Sequence, residues 1–320
     1  MKIKGQELEV DVLEEIEGFD WQKFKKSGDE FQACSPFRTE RRPSFFINID
    51  TGQWIDHGAD SDTWKKGNLI TLLSFINNTT YEEAEDYLLE KYGAVIEDVE
   101  GMELNINIQL GEQPPKIFTK EELKPYLRRT NKMINYVYSR GITYEVMRKF
   151  ILGADVESNA VAFFWLDAFT GKCVNVKFRS TRGKQFFYIR GGQPVSKHIY
   201  GLYQVIKAGC KTVWIVESEI DALYLWSHGI PAVALGGSSL SPEQKRKLLL
   251  AGVETYVIAT DKDKAGDRIK ASLKKELGGH VLLEEIVFPD YASDVNEIKP
   301  EHIKRVTDTT VPATLSMSLT

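Results

Sequence analysis

The sequence has few of the features that mark secreted, membrane or motor proteins. Its 320 residues include three cysteines, which are widely spaced and form no pair pattern. There is no apolar run of about 18 residues, and the first residues lack the apolar core of a signal peptide. The G-x-x-x-x-G-K-[ST] pattern of nucleotide-driven motors is also missing. We therefore expect a reduced, cytoplasmic protein with no membrane contact and no motor of its own.

The chain also lacks an overall positive charge. Its net charge is -5, so any nucleic-acid site must be a local patch. One such patch exists, because seven basic residues lie from Lys172 to Lys197 and no acid occurs between Gly171 and Tyr200. Aromatic residues from Phe178 to Tyr188 are interleaved with these cations, as single-strand binding requires. The alternative is that the aromatics form strand core and the cations a solvated face.

From residue 204 onward, predicted strands and helices alternate. The apolar strands "KTVWIVES", "PAVALGG", "ETYVIATDKD" and "HVLLEEIVF" are separated by helical segments. This alternation predicts βαβ units, and therefore a parallel sheet with helices on its faces.

Carboxylates follow two of these strands. Glu217 ends the first, while Asp261 and Asp263 end the third, and a later loop adds Asp294. Groups beyond the carboxyl ends of parallel strands gather at one edge of the sheet. We expect these acids to bind a divalent cation such as Mg²⁺, which neutralises phosphate charge. For any single aspartate, capping of the following helix is the simpler alternative.

These acidic segments together resemble the toprim domain of primases and topoisomerases. The resemblance is carried by "VESEIDALYL", "ALGGSSLS", "ATDKDKAGDR" and "SDVNE", with Ser218 in place of the usual glycine. It implies that Glu217, Asp261 and Asp263 are catalytic, with Asp294 as a further metal ligand. The role of Glu217 stays open between metal ligand and activation of the 3′-hydroxyl. Asp221 either supports the site or caps structure.

The segment before the toprim-like part resembles the basic half of the primase catalytic core. It is similar to bacterial primases, and especially to phage and organellar helicase-primases, through Lys177, Arg179, Lys184, Phe186 and "IYGL". The upstream "YVYSRGITYEVMRKFILG" resembles the helical segment that precedes this half in the same family. The predicted contacts with nucleic acid or nucleotide are Lys177, Arg179, Lys184 and Lys197.

This resemblance implies a DNA primase that synthesises RNA primers on single-stranded template DNA from ribonucleoside triphosphates. The implied cofactor is Mg²⁺ or Mn²⁺, the implied compartment is a bacterial or phage-infected cytoplasm, and a replicative helicase is expected as a separate protein. Two alternatives stay open. One is a toprim nuclease, and the other is a non-catalytic single-stranded-DNA-binding accessory.

The N-terminal part resembles the primase zinc-binding module but lacks its ligands. Residues of the pattern survive at Pro36, Phe37, Glu40 and Pro43–Phe45. Ser35 and Arg38 stand where cysteine and histidine belong, Asp56 and His57 stand near the third ligand, and no Cys-x-x-Cys follows. Because a tetrahedral site needs four donors, we expect no zinc and a module held by packing of Phe45, Phe46, Trp54 and Trp64. The loop cations that could contact nucleic acid are Arg38, Arg41 and Arg42.

The predicted fold class is α/β, with a toprim parallel-sheet domain preceded by a mixed α+β primase subdomain and a small β-rich N-terminal module. The predicted boundaries are residues 1–100 for the module, 101–118 for a linker, 119–203 for the basic subdomain, 204–305 for the toprim domain and 306–320 for a tail.

Overall fold

A computed structural model describes residues 1–59, 62–93, 115–237 and 239–313. Among these residues, none of the helices has the length and apolar character needed to cross a membrane.

The N-terminal module is a small β-sheet covered by short helices. Its described strands are β1 (Lys2–Ile3), β2 (Gln6–Glu7), β3 (Lys25–Ser27), β4 (Glu30–Ala33), β5 (Phe45–Asn48), β6 (Trp54–Asp56) and β7 (Lys66–Gly67), and its described helices are α1 (Val12–Glu17), α2 (Asp62–Lys65), α3 (Leu69–Ile76) and α4 (Tyr81–Tyr92). Strands β3 to β7 form one antiparallel sheet in sequence order.

Local interactions define the module's hairpin and its last helix. Strands β5 and β6 form the hairpin, and its inward side chains, Phe45 and Ile47, are buried. Helix α4 begins after Thr80, whose hydroxyl accepts from the backbone of Glu83 while the Glu83 carboxylate accepts from Thr80 in return. The helix ends at Gly93.

The middle subdomain consists of helices followed by an antiparallel sheet. Its helices are α5 (Lys120–Leu123), α6 (Asn131–Ser139) and α7 (Tyr144–Lys149), and its strands are β8 (Gly153–Asp155), β9 (Ala160–Leu166), β10 (Cys173–Ser180) and β11 (Phe186–Tyr188), in the spatial order β11-β10-β9-β8. The chain turns between α6 and α7 at Gly141, whose φ of 73° suits glycine.

The C-terminal domain confirms the predicted parallel sheet. Its helices are α8 (Leu202–Ala208), α9 (Glu219–Ser227), α10 (Pro242–Leu250), α11 (Lys264–Leu277) and α12 (Pro300–Asp308), and its strands are β12 (Thr212–Val216), β13 (Ala232–Ala234), β14 (Thr255–Ile258), β15 (Leu282–Glu285) and β16 (Val311–Pro312). The spatial order is β13-β12-β14-β15-β16, and the first four strands are parallel. The chain is therefore an α/β protein with the expected arrangement of parts.

Part of the segment predicted to be a tail is structured instead. Residues 306–308 complete α12, and β16 pairs antiparallel with β15 at the edge of the sheet. The pairing gives the edge strand β15 a partner, which a tail would not supply. Residues 314–320 lie outside the described residues, as do residues 101–114 of the predicted linker.

The N-terminal module packs against β10 and β11 of the middle subdomain. The backbone N–H of Lys184 donates to the carbonyl of Phe37 at 2.6 Å. The side chain of Gln185 donates to the carbonyl of Trp64 at 2.9 Å, and the Trp64 indole donates to Ser158 at 3.1 Å. As a result β10 is covered on both faces, and its residues are almost all buried.

Candidate active site

The predicted acids meet at the carboxyl ends of two neighbouring strands. Glu217 follows β12 and Asp261 lies just beyond β14, and these strands are paired in parallel. A carboxylate oxygen of Glu217 accepts the backbone N–H of Asp261 at 3.0 Å. A Cβ at Gly266 would lie 2.1 Å from the Asp261 carbonyl and 2.9 Å from the Glu217 carboxylate. The glycine of "DKAGD" therefore leaves the space in which helix α11 approaches these two acids.

The carboxylates at this edge of the parallel sheet repel one another. Burial, together with the neighbouring charges of Glu217, Asp221, Asp294 and Asp263, raises the pKa of Asp261 to about 8. Burial also raises the pKa of Glu217 to about 6, although the hydrogen bond from Asp261 opposes the shift. Carboxylates that resist ionisation in this way are typical of sites that a cation completes.

Asp221, on α9, belongs to the same group of acids. Its side chain is 6% exposed and accepts from the Ser218 hydroxyl at 2.5 Å. Burial raises the pKa of Asp221 to about 6, with a further contribution from Asp294 and opposition from nearby arginines. The side chain faces the acid site as well as the first turn of its own helix.

Two of the predicted metal ligands also act as helix caps. A carboxylate oxygen of Asp263 accepts from the backbone of Ala265 and Gly266, both at 2.8 Å, at the start of α11. A carboxylate oxygen of Asp294 accepts from the backbone of Glu297 at 2.9 Å. Capping, the simpler alternative for a single aspartate, is thus present at both positions. It occupies one oxygen of each and leaves the second available to a ligand.

The acids form an open edge and not a closed cage. Among the described residues, no three His, Cys, Asp or Glu side chains lie close enough together to hold one metal ion. Mg²⁺ suits such an edge, since it is commonly bound by one or two carboxylates together with water and substrate phosphates. The oxygen-only donor set fits Mg²⁺ or Mn²⁺ and lacks the nitrogen and sulfur donors that zinc prefers.

Several cations face Asp221, Asp261 and Asp294 across a cavity of about 480 Å³, which Glu217 and Asp263 do not line. The lining includes Arg179 at the end of β10, Arg182 and Lys184 in the following turn, and Arg140 at the end of α6. Among the described residues, the Nε atoms of Arg140 and Arg179 are buried without a hydrogen-bond partner. Guanidinium groups with unused donors beside a cavity are suited to bind phosphate.

Arg140 is a site residue that the sequence reasoning missed. It lies outside the basic stretch from Lys172 to Lys197. It is the C-cap of α6, a helix in which no other residue matches a functional motif. Its backbone carbonyl accepts from the Asn296 side chain at 2.8 Å, which joins the end of α6 to the acidic loop containing Asp294. The signal available in the sequence is the Arg140-Gly141 pair, because a glycine within a helical pattern marks a turn.

The prediction that Lys177 contacts nucleic acid conflicts with its position. The side chain is buried under the N-terminal module, with Nζ 3.4 Å from Glu219 and 3.2 Å from the Asn78 side chain. It also lies 4.2 Å from the centre of the Phe186 ring. Burial lowers the pKa of Lys177, while the Glu219 charge opposes this shift. Lys177 is therefore a structural cation beneath the site and not a surface contact.

The remaining predicted cations are spread over the surface. Lys197 is exposed in a short 3₁₀ helix and does not line the acid cavity. Arg41 and Arg42 are exposed on the N-terminal module, whereas Arg38 is engaged with Asp56. The structure thus brings Arg179 and Lys184 to the acids and leaves the other five predicted cations, including Lys177, elsewhere.

Comparisons with known proteins agree with both halves of the architecture. A family model described as Toprim-like matches residues 214–299. A second model, described as CHC2 zinc finger, matches residues 6–103.

Curated relatives carry the name DNA primase. The protein from Borreliella burgdorferi is 27% identical over 79% of this chain and 57% of its own length, and that from Clostridium acetobutylicum is 27% identical over 76% and 47%. This chain spans about half the length of these relatives. The Aquifex aeolicus primase structure, comprising zinc-binding and RNA polymerase domains, is 21% identical with a TM-score of 0.49, and the match covers 94% of this chain and 83% of that one.

Proposed function

We propose that the chain is a toprim-type DNA primase, which joins ribonucleotides on single-stranded template DNA with release of pyrophosphate. The observation that carries this proposal is a cavity at the carboxyl ends of the parallel strands in which Asp221, Asp261 and Asp294 face arginine and lysine side chains. A metal-bound triphosphate needs both, because its phosphates require cations and its metal requires oxygen ligands.

The acids supply the metal side of the proposed reaction. Glu217, Asp261 and Asp263 would supply oxygen ligands to Mg²⁺ or Mn²⁺, no more than two of them to any one ion, with Asp294 as a ligand to a second ion. A bound ion would neutralise the triphosphate and the charge that develops on the leaving pyrophosphate. Glu217 also fixes the Asp261 loop through its hydrogen bond to the Asp261 N–H. Its remaining role is either metal ligand or acceptor of the 3′-hydroxyl proton.

The cations supply the phosphate side. Arg140 and Arg179 would bind the incoming triphosphate, since both line the cavity opposite the acids. Lys184 is exposed at the mouth of the same cavity and would contact the template backbone. Arg41, Arg42 and Lys197 would extend the template path along the surface.

The proposal also covers cofactors, partners and compartment. We propose that the N-terminal module carries no zinc, because Ser35, Arg38 and Asp56 do not form a zinc donor set. We propose a separate helicase as the partner that exposes template. All three cysteines are unpaired, which agrees with the reducing cytoplasm of a bacterium or an infected host.

The test is incubation of the protein with circular single-stranded DNA, labelled ribonucleoside triphosphates and Mg²⁺. We expect short, alkali-labile labelled products from the wild type and almost none from Asp261→Asn or Asp263→Asn. Asp290→Asn, an exposed acid outside the site, is the matched control and should retain full activity. Shortened DNA would identify a nuclease, and DNA binding without any reaction would identify an accessory protein. Either outcome would overturn the proposal.

A further inference from the structure

The N-terminal module has the strand arrangement expected around a zinc site but not the chemistry of one. The zinc-finger family model spans residues 6–103, yet Ser35, Arg38 and Asp56 occupy the ligand region. A hydroxyl, a cation and a carboxylate cannot together bind zinc, because the guanidinium repels a metal ion and is never deprotonated in proteins.

These three side chains nevertheless converge on one another. The Arg38 guanidinium binds both carboxylate oxygens of Asp56, at 2.6 and 2.7 Å. It also donates to the Glu40 carboxylate at 2.7 Å, to the Ser44 hydroxyl at 2.7 Å and to the Ser35 hydroxyl at 3.3 Å. A single cation therefore has four oxygen-bearing neighbours, as a metal ion in the same place would have.

The neighbours are also bonded to each other, which closes the cluster. The Ser35 hydroxyl donates to Asp56 at 2.6 Å, and the backbone N–H of Ser35 donates to Glu40 at 2.7 Å. The Ser44 hydroxyl donates to Glu40 at 2.8 Å. The loop between β4 and β5 is thereby joined to the end of β6, the two chain segments that a zinc ion would connect.

Burial makes the arginine necessary. The Asp56 side chain is 0% exposed, so its charge needs a partner inside the protein. Space is also reserved for the guanidinium, because a Cβ at Gly58 would lie 2.0 Å from Nη2 of Arg38. The glycine that follows the hairpin thus admits the arginine head group.

We infer that the Arg38 guanidinium takes the place of the structural metal and holds the N-terminal module together without zinc. This inference concerns the module alone and does not depend on the proposed activity.

The first test compares Arg38→Met with Arg42→Met, an exposed arginine in the same loop. Without Arg38, the buried Asp56 carboxylate has no positively charged partner. The unfolding equilibrium constant of the module should therefore rise about 100-fold or more. Arg42→Met should change it by only a few-fold. The double variant Arg38→Met with Asp56→Met should recover much of the loss, because no charge is then left unpaired. Equal stability of Arg38→Met and Arg42→Met would overturn the inference.

The second test uses the unmodified protein and so does not depend on a variant folding. Full-length protein purified without chelator should contain well under one zinc per chain, and addition of EDTA should not lower the melting temperature. One tightly held zinc per chain, with a melting temperature that falls in EDTA, would contradict the inference.

The third test converts the cluster back to a metal site. The variant Ser35→Cys, Arg38→His, Asp56→Cys keeps Glu40, and so places four zinc donors where the cluster lies. We expect it to bind one zinc per chain and to become sensitive to EDTA. Failure to bind zinc would show that Arg38 does not lie at a metal position.

Discussion

Replacing Asp261 by asparagine should stabilise the metal-free protein. With a pKa of about 8 in the folded chain, Asp261 is a carboxylate that folding makes harder to ionise. A raised carboxyl pKa destabilises the fold progressively as pH rises from the unfolded value near 4 through the folded value. The gain from asparagine should therefore be small at pH 4 and reach its full size above pH 8.

The size of the effect follows from the shift. The pKa of Asp261 is raised by about four units, and each unit corresponds to about 1.4 kcal/mol. The free energy of unfolding is therefore lowered by at most about 6 kcal/mol. Asp261 is partly exposed, and Glu217 shares the repulsion through its own raised pKa of about 6. We therefore expect a net stabilisation of roughly 1–3 kcal/mol at pH 8.

The assay is denaturant unfolding at pH 8, with and without Mg²⁺. The wild type should gain stability when Mg²⁺ is added, whereas Asp261→Asn should gain much less, because one ligand is lost. The stability advantage of Asp261→Asn over the wild type should thus become smaller, or change sign, when Mg²⁺ is added. Asp290→Asn should respond to Mg²⁺ as the wild type does. A metal-free Asp261→Asn that is less stable than the wild type, or one with an undiminished response to Mg²⁺, would refute this account of the acidic edge.

Three further predictions concern the cations and the module contact. Arg140→Ala should raise the apparent dissociation constant for ribonucleoside triphosphate by about 10-fold or more, since a charge-assisted contact contributes roughly 1.5–3 kcal/mol; titration of bound nucleotide checks this, and unchanged affinity would place Arg140 outside the site. Lys184→Ala and Lys197→Ala should each make the salt dependence of single-stranded DNA binding shallower by about 0.7 in the log–log slope, and an unchanged slope for either variant would place that lysine off the template path. Asn78→Ala should speed amide hydrogen exchange in β11, because the Asn78 side chain contacts Lys177, Tyr188 and the Gly236 carbonyl; unchanged exchange would mean that these contacts do not hold the module in place.

The toprim-like half was predictable because its signals are local. Strands β12, β13 and β14 of the parallel sheet are short apolar runs, and Glu217 and Asp261 follow two of these runs. Because the carboxyl ends of parallel strands share one edge of the sheet, these positions predict that the acids lie together. The sequence does not distinguish helix capping from metal binding at Asp263 and Asp294, because both roles use the same side chains.

The sequence misplaced Lys177 and missed Arg140 because the neighbours of these residues come from distant parts of the chain. In β10, Lys177 and Arg179 point to the same side, and alternation alone suggests that both are exposed. The N-terminal module covers Lys177 and leaves Arg179 at the cavity, through contacts such as Asn78 with Lys177 that span 99 positions of the chain. No local pattern contains that information. Arg140 was missed for the same reason, since only the tertiary fold brings it beside Arg179.

The ionic cluster of Arg38 with Ser35, Glu40, Ser44 and Asp56 was predictable only in part. The sequence showed that the zinc donors were missing, and it named Ser35, Arg38 and Asp56 as their replacements. It could not show that these replacements bind each other, because the contact joins the β4–β5 loop to the end of β6. The expected packing of Phe45 and Trp54 is present, and the ionic cluster adds to it.

The most direct test of the central claim is the sequence of the products made on a single-stranded circle of mixed sequence. The protein, the four ribonucleoside triphosphates and Mg²⁺ should yield short RNA complementary to the circle, and Asp261→Asn should yield none. RNA unrelated to the template, or a cleaved circle without RNA, would contradict the assignment of a template-directed primer synthesis to this site.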